Sequence, residues 1–125
     1  MSSSYATCTK EKTISYEQRL FIKRSLRQLG LNSKMDGFIY IQKIIIYAYQ
    51  NDIIFINFRD ICKTIGIKIS KPHKTIESAI RYTFDSIDTN KLYNNFEDIF
   101  EFEFSISDFS LSTLISDFID ILETI

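Results

Sequence analysis

The residues of this chain that are able to do chemistry are few. His73 is its one histidine, and it stands beside Pro72 in a basic stretch. No serine, cysteine or acid is arranged with it as a nucleophile and its base would be. Two cysteines, Cys8 and Cys62, lie in unrelated contexts without metal-ligand spacing, which points to free thiols in a reducing compartment. Glu97, Asp98, Glu101 and Glu103 are dense but lack the spaced, glycine-bearing loop of a calcium site. No enzyme, metal site or cofactor is expected. What remains is a set whose chemistry is recognition: Lys68, Lys71, His73, Lys74, Glu77, Ser78, Arg81 and Tyr82. Cations there suit phosphate, and a carboxylate or hydroxyl suits a base edge.

Two helices must position that set. Residues 57–65 read as a short helix with Asn57 as its cap, Phe58, Ile61 and Ile65 on one face, and Gly66 ending it. A turn through Ile67, Lys68, Ile69, Ser70 and Lys71 follows. Pro72 suits the first turn of a second helix, expected over 72–87. Ile76, Ala79, Ile80, Thr83 and Phe84 face inward in that reading. Lys74, Glu77, Ser78, Arg81 and Tyr82 are left outward or at the edge. A helix pair with a basic and polar outer side on its second member is the unit that sets a recognition helix into the major groove of DNA.

The rest of the chain supplies the frame. A helix is expected over 16–29, with Ser15 and Gln18 at capping-box spacing and Gly30 stopping it. A second, over 36–50, is apolar nearly all round and reads as the core, with Ser33 or Asp36 available as cap. A short helix is expected at 91–95 and a closing one at 110–123. Residues 100–106 alternate as a strand does, but with no partner strand they are expected to be an extended connection that tucks phenylalanines into the core. The expected class is all-α, about six helices around a central helix-turn-helix.

At 125 residues, 45% hydrophobic and 25% charged, the chain is expected to form one helical domain, 15–125, behind a loose tail, 1–14. The polar N-terminus has no signal-peptide character, and the most apolar run, 38–49, falls short of the roughly 20 residues that cross a bilayer. A cytoplasmic protein without membrane contact is expected. Net charge is −1, yet its distribution is uneven: through Tyr82 there are fourteen Lys and Arg against six acids, and beyond it Lys91 alone against ten. A basic half of this kind suits nucleic acid, because phosphate neutralisation carries much of the affinity.

Four stretches in register resemble the C-terminal DNA-binding domain of the master response regulator of sporulation. They are Leu31-Asn32-Ser33-Lys34-Met35-Asp36-Gly37-Phe38-Ile39-Tyr40-Ile41, Ala48-Tyr49-Gln50-Asn51-Asp52-Ile53, Phe58-Arg59-Asp60-Ile61-Cys62-Lys63 and Thr75-Ile76-Glu77-Ser78-Ala79-Ile80-Arg81-Tyr82. The resemblance implies a winged-helix-like, response-regulator effector fold of helices, recognition of a short DNA box, and head-to-tail dimers on tandem boxes. In that family a Glu-Arg pair on the recognition helix is followed by Arg-His. Glu77 matches the Glu, Ser78 replaces its Arg neighbour, Arg81 is retained and Tyr82 replaces the His. The turn before that helix reads as longer than the family's, bringing Lys68, Lys71, His73 and Lys74 to its N-terminus. With only a short segment ahead of the first helix, control through a phosphoacceptor domain is not expected.

The alternative is an interaction module that pairs with or antagonises a full-length response regulator, which the acidic C-terminal third and Ser78 would suit. The two readings separate on Lys71, Lys74 and Arg81. Exposure with Lys68 on one basic face favours double-stranded DNA, and cover by acids of the last helix favours a protein partner.

Overall fold

The computed structural model describes residues 12–53, 56–100 and 110–125, and these form six helices. They are α1 (Tyr16–Leu29), α2 (Asp36–Gln50), α3 (Phe58–Ile69), α4 (His73–Asp85), α5 (Thr89–Phe100) and α6 (Leu111–Leu122). No strand occurs among the described residues, in keeping with the all-α expectation. The alternating segment read as an extended connection falls mostly at 101–109, outside the described residues.

Local chemistry sets most of the helix ends. Ser15 and Gln18 form the reciprocal capping box, and Gly30 closes α1 at φ 110° while its N–H donates to Arg27 and Leu26 carbonyls. The Asn57 side chain accepts from the Asp60 N–H at the start of α3, and Ser110 caps α6. Neither Ser33 nor Asp36 caps α2: Met35 occupies the cap position and makes no side-chain bond. Helix α5 is longer than the expected 91–95. Its entry is held by the Asp88 carboxylate, which accepts from the Lys91 N–H at 3.0 Å, and Leu92 and Phe96, one turn apart, carry it into the core.

Helix α2 is the hub, packed against α1, α3, α4 and α6. That follows from its sequence, for Ile41, Ile44, Ile45 and Ala48 are fully buried and Phe38, Tyr40 and Tyr49 nearly so. Its first turn lies directly on α4. A side chain at Gly37 would run into the Thr83 hydroxyl and the Ala79 carbonyl, so glycine here is what lets the two helices touch. The Thr83 hydroxyl in turn donates to the Ala79 carbonyl at 2.8 Å, within α4.

A second fastening joins the two ends of the chain. The Gln18 amide donates to the Tyr49 hydroxyl at 2.9 Å and to the Leu122 carbonyl at 3.0 Å, and its oxygen accepts from the Ser15 N–H at 2.8 Å. This buried amide is therefore satisfied on both its oxygen and its nitrogen. Above it, the Lys12 ammonium pairs with Asp52 at 2.6 Å and Glu123 at 3.0 Å and lies over the Tyr49 ring. Hydrogen bonds that the ammonium donates to Asp52 and then Glu123 raise the lysine's pKa. Ile14 is buried beside this clasp. Among the described residues no helix is long and apolar enough to cross a membrane.

Candidate nucleic-acid interface

Helices α3 and α4 form the helix-turn-helix, and one correction to its expected shape changes the surface. Gly66 does not end α3. The helix continues to Ile69, and its C-cap is Ser70, in the left-handed region at φ 57° and ψ 46°. The expected long turn is thus mostly one more turn of helix, leaving Ser70, Lys71 and Pro72 between α3 and α4. Gly66 serves close approach instead. A Cβ there would stand 2.5 Å from the Lys71 carbonyl oxygen, and the Lys71 N–H donates to the Gly66 carbonyl at 2.9 Å. The residue that looks like a stop in one dimension is the contact point that folds α4 back onto α3.

Helix α4 divides as its periodicity requires. Ile76, Ile80, Thr83 and Phe84 are buried, whereas Lys74, Ser78, Arg81 and Tyr82 are exposed and His73 and Glu77 are intermediate. Arg59, Lys63, His73, Lys74, Glu77, Ser78 and Arg81 line one open groove between α3 and α4. Lys63, Ile67, Lys71 and His73 line a second groove around the turn. Glu77 lies on the groove wall, its side chain 14% exposed and one carboxylate oxygen 3.9 Å from His73 Nε2. The Arg81 guanidinium is 5.2 Å from the Phe58 ring centre, a cation–π contact between α4 and the start of α3. Lys68 is turned away toward α2, its ammonium 5.3 Å from the Tyr47 ring centre.

Sequence reasoning missed Arg59 and Lys63, which now stand beside the α4 cations. A signal existed. They are one turn apart on α3, on the side away from Phe58, Ile61 and Ile65.

The electrostatics of the groove are unbalanced. The ion pairs among the described residues are Lys12 with Asp52 and Lys12 with Glu123, beside the 3.9 Å contact of His73 and Glu77, which is one only with a protonated imidazole. None involves Arg59, Lys63, Lys71, Lys74 or Arg81. Asp120 of α6 and Glu123, its C-cap, line a separate hollow with Asp52. Moreover, α4 starts with no acid in its first turn and no side-chain cap, while Lys71, His73 and Lys74 crowd that end. Cations at the positive end of a helix dipole oppose its stability. Such a start suits a helix whose anion comes from outside.

Burial, with a smaller contribution from Glu77, pushes the Cys62 thiol up to about 12, so it stays protonated and inert. Among the described residues no group of three or more His, Cys, Asp or Glu is arranged to hold a metal ion.

The family model for the C terminal of sporulation initiation factor Spo0A matches residues 22–124. The chain belongs to that family. Members are DNA-binding effector domains of transcription regulation and sporulation, and the match runs from the middle of α1 almost to the last residue. Neither a curated protein nor a solved structure matches the chain. Within the Spo0A C-terminal family, the matched region contains both walls of the groove and the α2 hub that carries α4.

Proposed function

We propose that this protein is a cytoplasmic transcriptional regulator that reads double-stranded DNA by setting α4 into the major groove. The observation that carries the reading is a cation set along α3 and α4 that makes no ion pair among the described residues, beside an α4 N-terminus with no acid in its first turn and no side-chain cap. Lys71, Lys74 and Arg81 hold phosphates, and Arg59 and Lys63 extend the same rail on α3. His73 and Tyr82 flank it, and Lys68 adds to the basic field from its place against Tyr47. Ser78 and Glu77 face the bases, Glu77 as an acceptor for cytosine N4. On tandem boxes two copies sit head to tail. Asp120 and Glu123 line a hollow with Asp52 and not the groove of these cations, which supports DNA over a full-length response regulator as the partner.

Fluorescence anisotropy tests this with a tandem-box duplex and a scrambled one, at two salt concentrations, for wild type and Arg81→Ala. The expected result is preference for the box and an affinity that falls with salt by a slope of about −0.9 per phosphate contact. The slope should be shallower by about one contact in the mutant. Equal, weak binding to both duplexes at physiological salt would overturn the proposal.

A further inference from the structure

Ile67 is the most exposed large hydrophobic residue among those described, at 83%, and it lies in the middle of a basic surface. It follows Arg59 and Lys63 at successive turns of α3. With Lys63, Lys71 and His73 it lines the groove around the turn. A single exposed aliphatic residue is ordinarily unremarkable on a protein surface. Here, however, the charged side chains beside it draw one class of partner, and that partner has an apolar component. Between its phosphates, duplex DNA presents deoxyribose edges and, in the major groove, the C5-methyl of thymine. In a helix-turn-helix the first helix crosses the DNA backbone while the start of the second enters the groove. Ile67 occupies the last turn of the first helix, just ahead of the turn into the second.

From the exposure of Ile67 between Lys63 and Lys71, we infer that it is a DNA-contacting residue whose side chain packs on the apolar surface of the duplex, a thymine methyl or a deoxyribose. The inference rests on the DNA-binding reading above and adds a contact of a different physical kind. An apolar contact releases no counterion, so its loss lowers affinity by the same factor at every salt concentration. Loss of a phosphate contact changes the salt slope as well.

The test compares wild type, Ile67→Ala and Lys63→Ala on the tandem-box duplex across a salt series. It is repeated with every thymine replaced by deoxyuridine. Ile67→Ala keeps a good helix former at an exposed site, so the fold is expected to persist, as circular dichroism and urea midpoints would verify. The expected result is a roughly five- to tenfold loss of affinity with an unchanged salt slope, the size of partial burial of one aliphatic side chain. Lys63→Ala should lower the slope by about 0.9. If the Ile67→Ala loss vanishes on the deoxyuridine duplex, the contact is to a thymine methyl; if it persists, the contact is to deoxyribose.

Wild-type affinity in Ile67→Ala, beside a weakened Lys63→Ala, would overturn the inference while leaving the DNA reading intact. A change in the sedimentation of the free protein on Ile67→Ala would also overturn it, by showing that the residue joins two copies of the chain. Absence of DNA binding by wild type would sink the underlying reading itself.

Discussion

Each residue of the groove acts through its immediate surroundings. Ser78 stands exposed on α4 where the Spo0A-type pattern has arginine. Arginine can make the bidentate contact to guanine that serine cannot. Ser78→Arg is therefore expected to sharpen discrimination at one base pair by about 1–3 kcal/mol, read as the ratio of affinities for duplexes differing at that pair. Cys62 supplies a second expectation. Its buried thiol, pushed up to about 12, should resist a thiol reagent at pH 8 in a Cys8→Ser background until urea unfolds the chain, as a labelling time course would show. Labelling of the folded protein at the rate of a free thiol would contradict that environment. These residue-scale properties divide by cause: outward placement at Ser78 follows from helix periodicity, whereas the inertness of Cys62 comes from burial against its neighbours.

Among the elements, the α3–α4 corner brings two backbones into close contact. Gly66→Ala would press a methyl on the Lys71 carbonyl, a backbone atom with little freedom to yield. The expected cost is about 1–3 kcal/mol, as for overpacking elsewhere, seen as a lower urea midpoint. DNA affinity should fall too, because α4 would swing relative to α3. Ser70→Gly should act oppositely. Serine at φ 57° carries a left-handed strain that glycine lacks, so up to about 1 kcal/mol of stability is expected from the change, with DNA binding preserved. A destabilised Ser70→Gly would mean that the serine side chain contributes more than its backbone conformation costs. Most element boundaries were legible in the sequence. Ser15 with Gln18, Asn57 and Ser110 each cap the helix their spacing announces. The end of α3 was not, since a glycine that permits close approach and a glycine that ends a helix are identical until the neighbouring segment is in place.

Across the whole molecule, stability couples to pH through α6. Asp117 is half-buried, and its Oδ2 finds no hydrogen-bond partner among the described residues. Burial first, then the neighbouring Asp120, raises its pKa from 3.8 to about 6. The folded state therefore binds the proton more tightly than the unfolded chain. Asp117's contribution to stability is fully present below about 3.8 and is lost as pH rises through about 6. The stability of Asp117→Asn relative to wild type should accordingly increase between pH 4 and pH 7, measured by urea unfolding at each pH. A pH-independent difference would place Asp117 in open solvent. The Gln18 fastening acts at the same scale, since it ties α1, the end of α2 and the end of α6. Gln18→Leu would remove the acceptor of the Ser15 N–H and the donor to the Tyr49 hydroxyl, at a cost of about 1–3 kcal/mol.

By itself, the sequence determined the helical class, five of the six helix starts to within a residue, the central role of α2, and the outward set on α4. These are consequences of periodicity and caps, which act over a few residues and can be read from local spacing. Tertiary structure alone decided that Arg59 and Lys63 join Lys74 and Arg81 around one groove, that Lys68 leaves them for Tyr47, and that Asp120 and Glu123 gather with Asp52. It also decided that Ile67 belongs to a helix and points into a basic surface. The physical reason is clearest for the groove. Which faces meet depends on how closely two backbones approach, and that distance is set at Gly37 and Gly66 by atoms of Thr83, Ala79 and Lys71, which local periodicity does not bring together.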